Sequence, residues 1–340
     1  MPTTLHPRPK VVVSGCLLGQ NVRYDSGHCR ERFLTDDLGK YVDWVPVCPE
    51  MEAGFGRPRP AMHLVAGPGG PADDRLVTRA GKDVTAPLHA ATDRVLARLS
   101  AVDGFVLKRS SPSCAPERLK VYRIDEAGHR QPAHQSAGLF ARRVLALYGG
   151  ERPSVPIEDE GRLNDPVLRM HFATRIFAAA RWRQLVEAHP DERGLRHALG
   201  KFHAAHKLLL LVHDEVRCRE LGRLVADAAD FERDALLARY GRDFAKALSK
   251  RPTANHHRNA LEHLAGHLRG PAPPEDRARV QSSIADHTGG LVPLVVPLVL
   301  LSFLLEKYAL EWPLSQVYLC PFPRELALET RLFNPNRNVS

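Results

Sequence analysis

Lys10-Val11-Val12-Val13-Ser14-Gly15-Cys16-Leu17-Leu18-Gly19 decides the fold of the first half of this chain. A short β-branched run with no polar alternation reads as a strand buried on both faces, over Lys10 to Ser14. It stops at a Gly/Cys loop. The same grammar recurs twice. Tyr41 to Val47 closes on Cys48-Pro49-Glu50, and Gly104 to Lys108 runs into Ser110-Ser111-Pro112-Ser113-Cys114. Between these strands, Ala86 to Leu99 sets Leu88, Ala91, Val95 and Leu99 along one helix face, and Ala137 to Leu147 reads as another helix. This βαβ pattern predicts a mostly parallel sheet with helices on its faces. Ligand sites in such sheets form at the carboxyl ends of strands, so cysteines far apart in sequence can meet at one rim.

Gly149 to Pro156 is rich in Gly and Pro and marks the expected boundary between domains 1–150 and 151–340. Beyond it long helical patterns take over. They begin at Asp165 to Ala188, with Pro166 in the first turn, and end near Glu275 to His287, predicting an all-α second domain. Gly67 to Asp74 reads as a loop. Leu291 to Leu305 is apolar apart from Ser302, contains Pro293 and Pro297, and is shorter than the ~18 residues a spanning helix needs. It reads as a buried core helix. Val13-Ser14-Gly15-Cys16 looks like a lipoprotein box, but the apolar stretch before it is far too short for a signal peptide. We expect no membrane span and no export.

The 340 residues carry 48 Lys and Arg against 39 Asp and Glu, a net charge of +9. That balance suits a polyanion such as nucleic acid, and equally an Arg-rich proteome. Six cysteines are too sparse for a disulfide scaffold, so the chain reads as cytoplasmic with reduced thiols. Cys16 and Cys48 are 32 residues apart, Cys48 and Cys114 are 66, and no pair has the C-x₂-C spacing of a zinc ribbon or ferredoxin run. Isolated cysteines are commonly small buried hydrophobes. These three, however, sit in Gly-, Pro- and Ser-rich loops whose backbone amides can bond cluster sulfurs. Three thiolates can hold an iron–sulfur cluster and leave one iron open. Cys218 and Cys320 lack this context and read as structural, while Cys29 is the nearest competitor as a fourth ligand.

Ser14 to Gly19 followed by Asn21-Val22-Arg23-Tyr24-Asp25 resembles the signature of the desulfidases that remove sulfur from thiouracil. Cys48-Pro49-Glu50 and Ser111-Pro112-Ser113-Cys114 resemble that family's other two signatures, and the match spans roughly residues 10 to 150. The resemblance implies a 4Fe-4S cluster on Cys16, Cys48 and Cys114, and catalytic roles for Glu50 and Ser111. The plain alternatives are a solvated loop carboxylate and a Ser/Pro turn residue. Ala115 follows Cys114 where the family leads us to expect Gly, a change that perturbs the loop if the position needs φ > 0.

Phe202 to Lys207, Leu221-Gly222-Arg223, Val292-Pro293-Leu294, Gln316-Val317-Tyr318 and Pro321-Phe322-Pro323 resemble a helical module often fused to this desulfidase. Such fusions resemble enzymes that convert 4-thiouridine in tRNA to uridine, which implies tRNA as partner and the helical module, within 151–340, as the part that binds it. No obligate protein partner is inferred. Arg23, Tyr24 and Asp25 are candidates to grip the base or its phosphate, although Arg and Asp in one loop commonly pair with each other. Lys201, His203 and Lys207 are candidates for RNA phosphates, His203 and Lys207 sharing a helix face at i, i+4. A solvated basic helix explains them equally well. Arg57, Arg59, Arg142 and Arg143 would extend a basic path around the cluster mouth. The competing readings are a desulfidase of free thiouracil or thiouridine monophosphate, and an iron–sulfur redox-sensing regulator that binds nucleic acid.

Overall fold

The computed structural model describes residues 6–99, 101–126, 128–149 and 155–328. They form two compact units: the described residues up to 183 together with 322–328, and residues 184–321. The division falls beyond the Gly149–Pro156 junction, of which residues 150–154 lie outside the described residues.

The first unit holds two sheets. Strands β1 (Lys10–Ser14), β2 (Asp43–Val47), β5 (Gly104–Leu107) and β8 (Ile157–Asp159) pair in the order β2-β1-β5-β8, all parallel. Val11, Val12 and Val13 are fully buried because both faces of this sheet are covered. Val11 and Val13 face Phe33, Leu34 and the Phe172–Phe177 stretch of α4 (Pro166–Ala188). Val12 faces Val95 of α2 (Thr85–Arg98) and Phe140 and Val144 of α3 (Leu139–Tyr148). The first part of α4 therefore belongs to this unit's core, and Arg183 closes it with an ion pair of 3.0 Å to buried Asp103. Phe322 and Leu326 of the chain's return pack in the same cluster.

The second sheet, of order β4-β3-β6-β7, is a correction to the loop expected over Gly67 to Asp74. There β3 (Met62–Gly67) turns into β4 (Gly70–Thr78) as an antiparallel hairpin. Strand β6 (Leu119–Ile124) joins β3 in parallel, and β7 (Arg130–Ser136) pairs antiparallel with β6. Leu64, Leu76 and Val121 of these strands are buried under Leu88 and Leu139, Asp74 is buried on Arg142, and Val65 is the one other buried residue of the four strands. Strands with so few apolar residues leave almost no period-2 signal.

The second unit is all helical: α5 (Leu195–His213), α6 (Glu215–Ala226), α7 (Arg233–Ser249), α8 (Ala254–Gly266), α9 (Pro274–Thr288), α10 (Val295–Lys307) and α11 (Glu311–Leu314). Helix α10 corrects the expectation of a buried core helix. Leu301, Leu304 and Leu305 are buried, whereas Val295, Val296, Val299 and Phe303 are exposed. A segment apolar all round carries no periodicity to reveal its inner face. Among the described residues no helix is long and apolar enough to cross a membrane.

Candidate active site

Parallel register brings the cysteine loops together. Ser14 pairs with Val47, and Val13 with Val106, so β1, β2 and β5 end at one edge. Cys16 lies in the single turn Gly15–Leu18 that follows β1, Cys48 caps the short helix α1 (Pro49–Glu52) after β2, and Cys114 lies in the loop after β5. All three line one cavity of about 380 Å³, together with Glu50, Arg59, Lys108, Ser111, Arg23 and Tyr24. Cys29, Cys218 and Cys320 do not line it. None of the six cysteines is in a disulfide.

The Cys114 loop is built onto the start of α3. The amides of Gly138, Leu139 and Ala141 donate to the carbonyls of Ala115, Pro112 and Ser113 at 2.8, 3.2 and 3.1 Å. The loop's carbonyls thus satisfy amides that a helix start would otherwise leave unpaired. A Cβ on Gly138 would lie 2.5 Å from the carbonyl carbon and oxygen of Ser113. We expect Gly138→Ala to push the loop away, lower iron per chain after reconstitution, and destabilise the fold by about 1–3 kcal/mol. Chemical denaturation with iron analysis checks this, and unchanged iron loading would sink it. Ala115 is buried with φ outside the positive region, so its departure from Gly introduces no strain. Ser110, at the mouth, does hold a positive φ of 59°.

As free thiols the three cysteines resist ionisation. Burial first, then the nearby Cys29 and Cys48, push the Cys16 thiol up to about 12. Burial, Cys48 and Glu50 push Cys114 well above the ordinary thiol range. Burial also raises Cys48, while the backbone N–H groups of Met51 and Glu50 pull it back. A bound cation reverses this penalty, since coordination deprotonates a thiol outright. Among the described residues no three His, Cys, Asp or Glu side chains meet closely enough to hold a single metal ion. Three thiols spaced around a cavity of this size suit a multi-iron centre instead, held by thiolates alone.

Glu50 is 8% exposed and fully organised by its neighbours. Its Oε1 accepts from Ser113 Oγ at 2.8 Å, and its Oε2 accepts from Arg59 Nε at 2.9 Å and from Arg59 Nη2. Arg59, equally buried, also donates to the carbonyls of Gly56 and Val22 at 2.8 and 3.1 Å. A buried charge persists only when paired and hydrogen-bonded, and both partners here are. The sequence puts Arg59 on a basic path around the cluster mouth and gives Ser113 no role. The signal available was one more hydroxyl in Ser-Pro-Ser-Cys, which does not say which serine turns inward. Ser111 Oγ accepts the amides of Ser113 and Cys114 at 3.3 and 3.1 Å, so it shapes the cysteine loop while lining the cavity.

Tyr24 is 44% exposed at the rim, with Arg23 stacked 5.4 Å from its ring centre. Arg23 donates to Cys29 Sγ at 3.1 Å and pairs with Asp25, which lies outside the cavity lining and accepts the Gly27 amide. The basic path is not formed. Arg142 is spent on Asp74 and the Pro71 and Ala137 carbonyls, and Arg143 on Asp93. In the helical unit the expected stripe is split. Lys201 and Lys207 are exposed, whereas His203 turns inward, its Nδ1 3.1 Å from Tyr240 OH. His206 and His213 are buried against carbonyls of Phe202 and Lys250.

A parallel α/β unit with thiols and a buried carboxylate at its carboxyl edge is the class of protein this geometry defines. A family model described as 2-thiouracil desulfurase matches residues 11–160, and one described as a protein of unknown function (DUF1722) matches residues 207–323. The uncharacterized protein YbbK of Bacillus subtilis (strain 168) is 32% identical over 114 residues, which cover 31% of this chain and 72% of that protein. A solved [4Fe-4S]-dependent thiouracil desulfidase, TudS, is 28% identical over 48% of this chain and 98% of its own, with a TM-score of 0.36. The chain belongs to the 2-thiouracil desulfurase family.

Proposed function

We propose that this protein removes sulfur from a thiocarbonyl pyrimidine, and that its substrate is 4-thiouridine carried in tRNA. The convergence of Cys16, Cys48, Cys114 and Glu50 on one cavity carries this reading. The three thiolates would hold a 4Fe-4S cluster. When bound, that cluster supplies an open, soft iron that draws electron density from the thiocarbonyl sulfur.

The chain's own residues do the rest. Water supplies the oxygen of the new carbonyl, the C–S bond breaks, and sulfur leaves as sulfide, with no net electron transfer. Glu50 Oε2 is committed to the Arg59 guanidinium, whereas Oε1 accepts the Ser113 hydroxyl and, having two lone pairs, keeps one for a ring N–H or a water. That is the atom that would move the proton. The Ser111 hydroxyl faces the same cavity as a hydrogen-bond donor to water or base, and Tyr24 at the rim offers a stacking surface. A nucleotide within folded tRNA must be extruded to reach so enclosed a site. The surplus positive charge and the appended helical unit support a tRNA substrate and a cytoplasmic setting.

The test is anaerobic reconstitution of the full chain, then incubation with bulk bacterial tRNA and, in parallel, free thiouracil. Loss of 4-thiouridine absorbance with sulfide release is expected from tRNA, and Glu50→Gln is expected to slow it roughly 100-fold or more while retaining iron, the usual weight of a general acid/base. Turnover of the free base alone would remove the tRNA substrate. Turnover of neither, with an intact cluster, would favour the redox-sensing reading.

A further inference from the structure

We propose that the outer face of the second sheet is a platform for single-stranded RNA that leads a nucleotide into the thiol cavity. This rests on the tRNA reading above. The helical unit has 18 Lys and Arg against 17 Asp and Glu, whereas the unit bearing the cavity has 30 against 22. Nearly all the positive surplus therefore sits on the unit that does the chemistry, and a phosphate backbone is drawn to that surplus.

Within that unit, the second sheet presents an aromatic and basic face to solvent. Leu64, Leu76 and Val121 point to the core, so strand alternation turns their neighbours outward. Register sets Val65, itself only 6% exposed, opposite both Arg75 and Tyr122, His63 opposite Val77, and Ile124 opposite Arg130. On that outer face the rings of His63 and Tyr122 meet edge to face at 6.2 Å, and Ile124 is 42% exposed. Lys120, exposed, shares this face, and the positive charge of Arg130 reaches His63. The acidic groups are few: exposed Asp73 accepts the Gly69 amide at 3.2 Å, Asp83 pairs with Arg75 at 3.7 Å, Asp125 pairs with His129 in the β6–β7 turn beside Glu126, and Asp74 is turned inward to Arg142. Half-exposed rings between cations on an open sheet are what unpaired bases stack on, while phosphates follow the cations.

The face also leads to the cavity. Ala61 and Met62, at the start of β3, line the cavity, and the Arg79 amide at the end of β4 donates to the Ala61 carbonyl at 2.9 Å. Exposed Arg79 and Lys82 thus stand where the sheet meets the mouth. A strand of RNA laid across β3 and β6 arrives at the cavity with its bases already unstacked from one another.

The experiment measures binding of a labelled single-stranded oligouridylate, and of bulk tRNA, to the full reconstituted chain, with turnover of free thiouracil as a second readout. Tyr122→Ala is expected to weaken both RNA probes about tenfold or more, the loss of one base stack. Tyr122→Phe, which keeps the ring, should restore binding. Lys120→Gln with Arg130→Gln should flatten the plot of log affinity against log salt by about 1.4, the share of two phosphates. Free thiouracil turnover and thermal midpoint are expected to be unchanged in all of these. RNA affinity equal to that of the unaltered chain overturns the platform, as does unaltered chain that binds neither probe. If the unaltered chain binds RNA and loses it on Tyr122→Ala, yet turns over neither tRNA nor thiouracil, the platform stands and the desulfidase reading falls.

Discussion

Cys114→Ala is expected to yield a folded chain that retains no iron cluster after anaerobic reconstitution and has no desulfidase activity. Cys16→Ala and Cys48→Ala are expected to do the same. The three thiols enter one cavity from three strand ends, and nothing else in that lining is a soft anionic ligand. Each alone is penalised as an anion by burial, so the metal is what makes the thiolate state favourable. Removing one removes a third of the protein's anchoring of the cluster. The fold itself should lose only about 1 kcal/mol, the centre of the range for point substitutions. Cys218→Ala is the matched control. That thiol is buried too, on α6, with Sγ 3.5 Å from the Lys207 carbonyl, and it does not line the cavity. It should keep iron and activity. Iron and sulfide per chain, with the visible spectrum, decide the matter: wild-type iron content in Cys114→Ala would sink the ligand assignment.

The second large effect is expected at Arg59. Arg59→Met leaves the Glu50 carboxylate buried without its partner, and losing one half of a buried pair costs about 3–5 kcal/mol. Urea denaturation should show this as a lowered midpoint. Adding Glu50→Gln to Arg59→Met removes the stranded charge and should recover much of the loss, although not the activity. The double-mutant cycle therefore predicts a strong favourable coupling between the two sites. Additive destabilisation would mean that Arg59 does not hold Glu50. Arg59→Lys is informative as well. A lysine cannot reproduce the two guanidinium bonds to Glu50 Oε2 together with those to Gly56 and Val22, so it should rescue stability in part and turnover poorly.

Much of the first sheet was legible because its central strands, β1 and β5, are buried on both faces. Unbroken apolar runs such as Val11 to Val13 have no other physical use in a chain of this composition, and each one ends in a Gly- or Pro-bearing loop that stops the strand. The second sheet was illegible for the opposite reason. Its outer strands are Gly70 to Thr78, with only Asp74 and Leu76 buried, and Arg130 to Ser136, with no buried residue, and they are held by pairing rather than by pattern. The helices of the second unit were readable from period and caps, yet the inner face of α10 was not, since every side chain from Val295 to Leu301 is apolar.

What the sequence by itself determined is the chemistry on offer: three cysteines at strand ends, a glutamate two residues from one of them, and a parallel sheet to carry them. Local pattern suffices there, because strand burial and loop composition are properties of neighbouring residues. Tertiary structure alone decided the rest. It chose Arg59 and Ser113 as the partners of Glu50, from positions 9 and 63 residues away. It turned His203 inward and took Arg142 out of the basic path. It also set Tyr122 beside His63 on an open face. Each of those choices depends on which strands lie side by side and on where a buried charge finds its counter-charge. Both are settled by contacts between segments distant in the chain, and no local run of residues encodes them.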